Sequence, residues 1–136
     1  MPMTVLRRWL AILSMCALLA VVISAAADDK KTIADKVYST AQADRGEARF
    51  TTSCSSCHTT VSFSGGAFAD RWSGQTLAEP FDFVSNSMPE NDPGSLKAEE
   101  YGSVLAFILR VNGYPAGDVD LPADSASLKT IAIDTK

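Results

Sequence analysis

Histidine and methionine are nearly missing from the body of this chain. His58 is the one histidine in 136 residues, so no site can be built from two imidazoles of one subunit. The methionines stand at positions 1, 3, 15 and 88, and all but Met88 fall in an apolar N-terminal stretch. Of the three cysteines, Cys16 lies in that same stretch, which leaves Cys54 and Cys57. One pair three positions apart cannot frame a disulfide-stapled domain. Basic residues are also short, 12 against 16 acidic ones. Nucleic acid and anionic lipid surfaces are therefore poor partners, and a basic patch on a partner is favoured. No internal repeat is present. With 46% hydrophobic and 21% charged residues, the composition is that of one globular domain.

The N-terminus reads as a secretory signal over residues 1–27. Arg7 and Arg8 form a positive region, and the run from Trp9 to Ile23 is interrupted only by Ser14. Ala25, Ala26 and Ala27 supply the small residues that a signal peptidase accepts. The competing reading is a retained anchor, since about 18 apolar residues can cross a bilayer. A lipoprotein reading through Cys16 is opposed by Met15 before it and by the apolar residues after it. Cleavage after Ala27 leaves 109 residues with ten basic and sixteen acidic side chains, a net charge of −6.

Residues 28–38 are charged and look like a polar leader ahead of the domain. Ser39 and Gln42 have capping-box spacing, which predicts a helix from about residue 40 to Thr52. Thr59 to Gly74 is rich in Ser, Thr and Gly and reads as irregular, with Phe63, Phe68 and Trp72 as its bulky residues. A short helix is expected over Thr76–Ser87, with Thr76 and Glu79 as a second capping pair and Pro80 awkward in its first turn. Met88 to Gly94 contains two prolines and a glycine and is a loop. The clearest helix is Ala98 to Val111. Glu99 and Glu100 suit its start and Arg110 its end, and Tyr101, Val104, Leu105 and Ile108 form its apolar face. Asn112-Gly113 and Pro115 stop it. Residues 115–136 form a C-terminal extension whose Leu121, Leu128, Ile131 and Ile133 show no decisive period.

The chemistry concentrates at Cys54-Ser55-Ser56-Cys57-His58. Two intervening residues put both thiols on one side of a turn, where they can add across two vinyl groups of a porphyrin edge. The next residue then offers an imidazole to the iron. This is the spacing of c-type haem attachment. A zinc site, a redox-active dithiol and chance are the competing readings. Structural zinc takes about four protein ligands, and beyond residue 27 the chain has no third Cys and no second His. A redox dithiol usually opens a helix after a strand, whereas this pair follows a helix. The spacing together with export favours haem. With His58 as the only imidazole, Met88 is the one thioether left for the opposite face of the iron. A lone Met is more often core filler, but Met88 stands before a proline in an irregular loop ahead of the last helix. A His/Met pair raises the reduction potential relative to two imidazoles and leaves no open position for oxygen.

These residues resemble the class I cytochrome c family over about residues 39–114. Gly46 and Phe50 stand at the family's spacing before Cys54, Met88-Pro89 looks like its distal-ligand loop, and Val104 to Ile108 is similar to its last helix. The resemblance implies an all-α fold of three to five helices around one covalently bound haem. It also implies a close crossing of first and last helices at Gly46, with Phe50 and Phe107 in contact. The proline that often follows the haem His in the family is missing here, so the acceptor for the His58 N–H is unnamed. Arg71 and Trp72 are candidates for a haem carboxylate, or else a surface Arg and a half-buried aromatic.

A narrower similarity rests on Arg71-Trp72-Ser73-Gly74, on Ser87 to Leu96 and on Asn112 to Gly117. These stretches look like bacterial cytochromes c associated with pyrroloquinoline quinone-dependent alcohol dehydrogenases. That would imply a periplasmic protein with a quinoprotein dehydrogenase as electron donor and a terminal oxidase as acceptor. Electron transfer is the function expected. The alternatives are a haem-based gas sensor with displaceable Met88 and an exported dithiol oxidoreductase.

Overall fold

The computed structural model describes residues 30–135; the expected signal segment, residues 1–27, lies outside them. Among the described residues are five α-helices and one pair of two-residue strands. In chain order these are β1 (Lys31–Thr32), α1 (Thr40–Ser53), a 3₁₀ turn (Thr60–Phe63), α2 (Gly66–Trp72), α3 (Ala78–Ser87), α4 (Ala98–Val111), α5 (Ser125–Leu128) and β2 (Ile131–Ala132). The fold is all-α, with little strand. No helix among the described residues is long and apolar enough to cross a membrane.

The centre of the fold is the crossing of α1 on α4. Gly46 permits it: a Cβ built there would stand 1.8 Å from the backbone oxygen of Ser103 and 2.9 Å from the Cβ of Phe107. Phe50 and Phe107 meet just beyond, with ring centroids 5.4 Å apart. Ion pairs close the crossing at both ends of the contact. Arg110 reaches Asp44 at 2.5 Å and Glu47 at 2.6 Å, and Arg49 pairs with Glu100. Every residue of α4 from Tyr101 to Leu109 is buried, so this helix is enclosed well beyond its apolar stripe.

The caps form only in part as the sequence predicts. Ser39 Oγ accepts the Gln42 N–H at 3.0 Å, but the Gln42 side chain does not return to Ser39. It is buried and makes a two-point clamp on Leu121, donating to its carbonyl at 3.0 Å and accepting its N–H at 2.7 Å. At α3, Glu79 accepts both the N–H and the hydroxyl of Thr76, which holds its carboxyl below the usual range. Pro80 sits in the first turn of α3, where a missing N–H breaks no helical bond.

Two segments differ from their expectation. Residues 28–38 looked like a polar leader, yet Ile33 and Tyr38 are fully buried in the core. β1 pairs in parallel with β2, Lys31 against Ile131 and Thr32 against Ala132. The C-terminal extension also packs in: Leu121, Leu128, Ile131 and Ile133 are core residues. Its end threads between β1 and the stretch before α3, with Leu77 N–H on the Ile131 carbonyl at 2.9 Å and Ile133 N–H on that of Gln75 at 2.8 Å. Tyr38 Oη donates to the Tyr114 carbonyl at 2.6 Å. Thr59–Gly74, expected as irregular, holds the 3₁₀ turn and α2, whose Phe68 is buried in the core.

Candidate functional site

The last turn of α1 delivers the two thiols. Cys54 caps the helix through its N–H on the Phe50 carbonyl at 2.8 Å, and the chain then turns back on itself. Cys57 N–H and His58 N–H both donate to the Cys54 carbonyl, at 3.1 and 2.9 Å. One carbonyl therefore gathers the motif into a single tight turn. Cys57 is exposed and Cys54 half-buried. Burial pushes the Cys54 thiol up, with Arg49 pulling it the other way. The ring of Phe63, from the 3₁₀ turn, lies 5.3 Å from the His58 imidazole, centroid to centroid.

This turn opens into a cavity of about 580 Å³. Cys54, Cys57 and His58 line one part of it, and Met88 and Pro89 another. Phe50, Phe63, Phe68, Trp72, Phe83, Val84, Val104, Leu105 and Ile108 make most of the remaining wall. All four sequence-predicted site residues thus meet one cavity. A cavity with a few convergent ligating groups in an apolar wall is the ordinary form of a cofactor site. The donor set fits a covalent haem: two thiols and an imidazole on one turn, and a thioether in the wall of the same largely apolar cavity. Among the described residues, no group of three or more His, Cys, Asp and Glu side chains converges as a metal-ion site.

Arg71 also lines the cavity. Its guanidinium lies 4.8 Å from the Trp72 ring centre and 4.2 Å from that of Phe83. Among the described residues the other three arginines all pair with carboxylates, and Arg71 does not. The loop that carries Met88 is held from α4, because Tyr101 Oη donates to the Met88 carbonyl at 2.7 Å. Sequence reasoning placed Tyr101 on the apolar face and missed this bond. A tyrosine among aliphatic face residues was the available signal, since a buried phenol needs a partner.

The family model described as cytochrome c oxidase, cbb3-type, subunit III matches residues 41–108, and the chain belongs to this cytochrome c family. No curated protein and no solved structure matches the chain. Membership implies a covalently attached c-type haem, with Cys54 and Cys57 at the attachment spacing, and supports a haem-based electron-transfer role. The match begins one residue inside α1 and ends within α4, so it takes in the whole cavity wall and leaves out β1, α5 and β2.

Proposed function

We propose that the protein is an exported one-electron carrier whose haem iron is held by His58 and Met88. The observation that carries this reading is the single cavity lined by Cys54, Cys57, His58 and Met88, in a chain with no other histidine. Bound haem supplies an iron that cycles between the ferric and ferrous states. The chain does the rest. His58 and Met88 would hold the iron, leaving it closed to oxygen or peroxide, and a thioether ligand would raise the potential relative to a bis-imidazole site. The phenylalanine and aliphatic walls keep water from the iron. Arg71, stacked on Trp72 and Phe83 in the cavity wall, would hold a haem carboxylate. Cys57, the exposed thiol, marks the side through which electrons enter and leave.

The protein works in the periplasm after cleavage behind Ala27, and meets a membrane only if the signal is kept as an anchor. Its donor is a redox protein, a quinoprotein dehydrogenase on the similarity of residues 71–74, 87–96 and 112–117, and its acceptor a terminal oxidase. The matching family's description names an oxidase subunit, which supports an oxidase-linked chain. The net charge of −6 beyond residue 27 favours partners with a basic docking face.

Intact mass and carbon monoxide test the reading together. The exported protein is expected to weigh as residues 28–136 plus one haem; a haem-free chain would overturn it in favour of a dithiol enzyme. Reduced wild type is expected to bind carbon monoxide slowly or not at all at neutral pH, and Met88→Ala rapidly. Rapid binding by wild type would make the protein a gas-binding one.

A further inference from the structure

The geometry points to Tyr101 as a positioning residue that holds the Met88 loop closed over the cavity and so governs how readily an added ligand displaces Met88. This rests on the Met88 ligation proposed above and names the device that sustains it. Tyr101 lies in the first turn of α4 and is 4% exposed. Its hydroxyl donates to the Met88 carbonyl at 2.7 Å and accepts the Leu96 N–H at 3.4 Å. One phenol thus ties the two ends of residues 88–96 to the helix that walls the cavity.

The same helix face carries Leu105 and Ile108, one and two turns on, and both line the cavity. Tyr101 itself does not line it, so it acts through the backbone of Met88. Within the loop, the Asp92 N–H donates to the Pro89 carbonyl at 2.9 Å and the Ser95 N–H to that of Asp92 at 3.3 Å. These bonds shape the loop and do not attach it to the helical frame. The side-chain attachment is the tyrosine. Phenylalanine at this position would keep the ring and leave the Met88 carbonyl without its donor, loosening the loop while the thioether stays in the chain.

The test is competition for the iron in the ferric holoprotein, with imidazole as the added ligand. Met88 ligation gives a long-wavelength sulfur-to-iron band that Met88→Ala must abolish. If wild type lacks that band, the His/Met reading fails and the tether with it. With the band present, Tyr101→Phe is expected to bind imidazole about fivefold more tightly than wild type, the size of one net hydrogen bond. Equal affinity in the two proteins would overturn the tether and leave His/Met ligation standing. Leu128→Ala, a fully buried core change that does not touch the cavity, controls for general instability. It is expected to leave imidazole affinity unchanged, and a rise like that of Tyr101→Phe would overturn the specific role. Should Tyr101→Phe fail to fold, the ferrous wild type decides by proton NMR. A slowly exchanging Tyr101 hydroxyl with cross-peaks to residues 88 and 96 is required, and a freely exchanging one is fatal to the tether.

Discussion

The two sides of α4 are built differently. On one side it packs against α1 at a glycine, and Ile33, Tyr38, Leu121, Leu128, Ile131 and Ile133 from the flanking segments join the core. Ile33, Tyr38, Leu77, Leu109, Leu128 and Ile133 are the largest fully buried side chains of the core. On the other side, Leu105 and Ile108 face a cavity that the end of α1, shorter elements and loops complete, where His58, Phe63, Trp72 and Met88 are only half-buried. A chain of this size can complete one compact core. The second side has walls shaped for a group that the chain does not encode. Packing changes should therefore register as stability, and cavity changes as spectra and ligand binding.

The largest expected effect is at the crossing. Gly46→Val cannot be accommodated, because even a Cβ would overlap the Ser103 carbonyl. A loss of about 3 kcal/mol or more is expected in denaturant unfolding. A mild effect would mean that the helices separate freely and that the first side is less rigid than described. Next come the terminal segments. Ile33→Ala and Ile133→Ala should each cost about 2–4 kcal/mol, as buried aliphatic truncations do. Losses below about 0.5 kcal/mol would show that these segments are appendages and not core.

Met88→Ala sharpens the contrast from the other side. It should change the ferric spectrum and admit carbon monoxide, while unfolding shifts less than for Ile33→Ala. The reverse order would make Met88 a packing residue. The smallest effect is at Asp120, which accepts from Ser39 and pairs with Arg45 at 2.5 Å. The Ser39 hydroxyl, then Arg45, holds its carboxyl below the ordinary aspartate range. A lowered folded value means stability that is present above the ordinary aspartate pKa and lost as pH falls through the depressed one. Asp120→Asn should cost under about 1 kcal/mol at neutral pH, since the pair is half-exposed, and the difference from wild type should vanish in acid. A difference that persists in acid would assign the loss to something other than charge.

Legibility in the sequence followed length and chemical specificity. α4 was placed at Ala98–Val111 because fourteen residues give apolar spacing, charge bias and a stop signal enough room to agree. α2 was missed because seven residues beginning at Gly66 carry too few positions for periodicity to outweigh the Gly-Gly and Ser signals. The leader was misjudged for a related reason: Ile33 and Tyr38 are two core anchors set among charged neighbours, and their burial depends on a strand arriving from a hundred residues later. The Gln42 clamp on Leu121 has the same character. Seen in the sequence it was half a capping box.

What the sequence determined by itself is the attachment chemistry and the shortage of ligands. Two thiols and an imidazole within five residues form a local motif, and local spacing is readable without a fold. The count of one histidine and one methionine beyond residue 15 is likewise a property of composition. It took tertiary packing to bring Met88 into one cavity with His58, to bury Ile33, Tyr38, Leu121, Leu128, Ile131 and Ile133 in the core, and to set the Tyr101 hydroxyl on the Met88 carbonyl. Each of these joins residues from separate elements, and such contacts are set by how helices pack, through one glycine and a few buried polar bonds, and not by any pattern within a single segment.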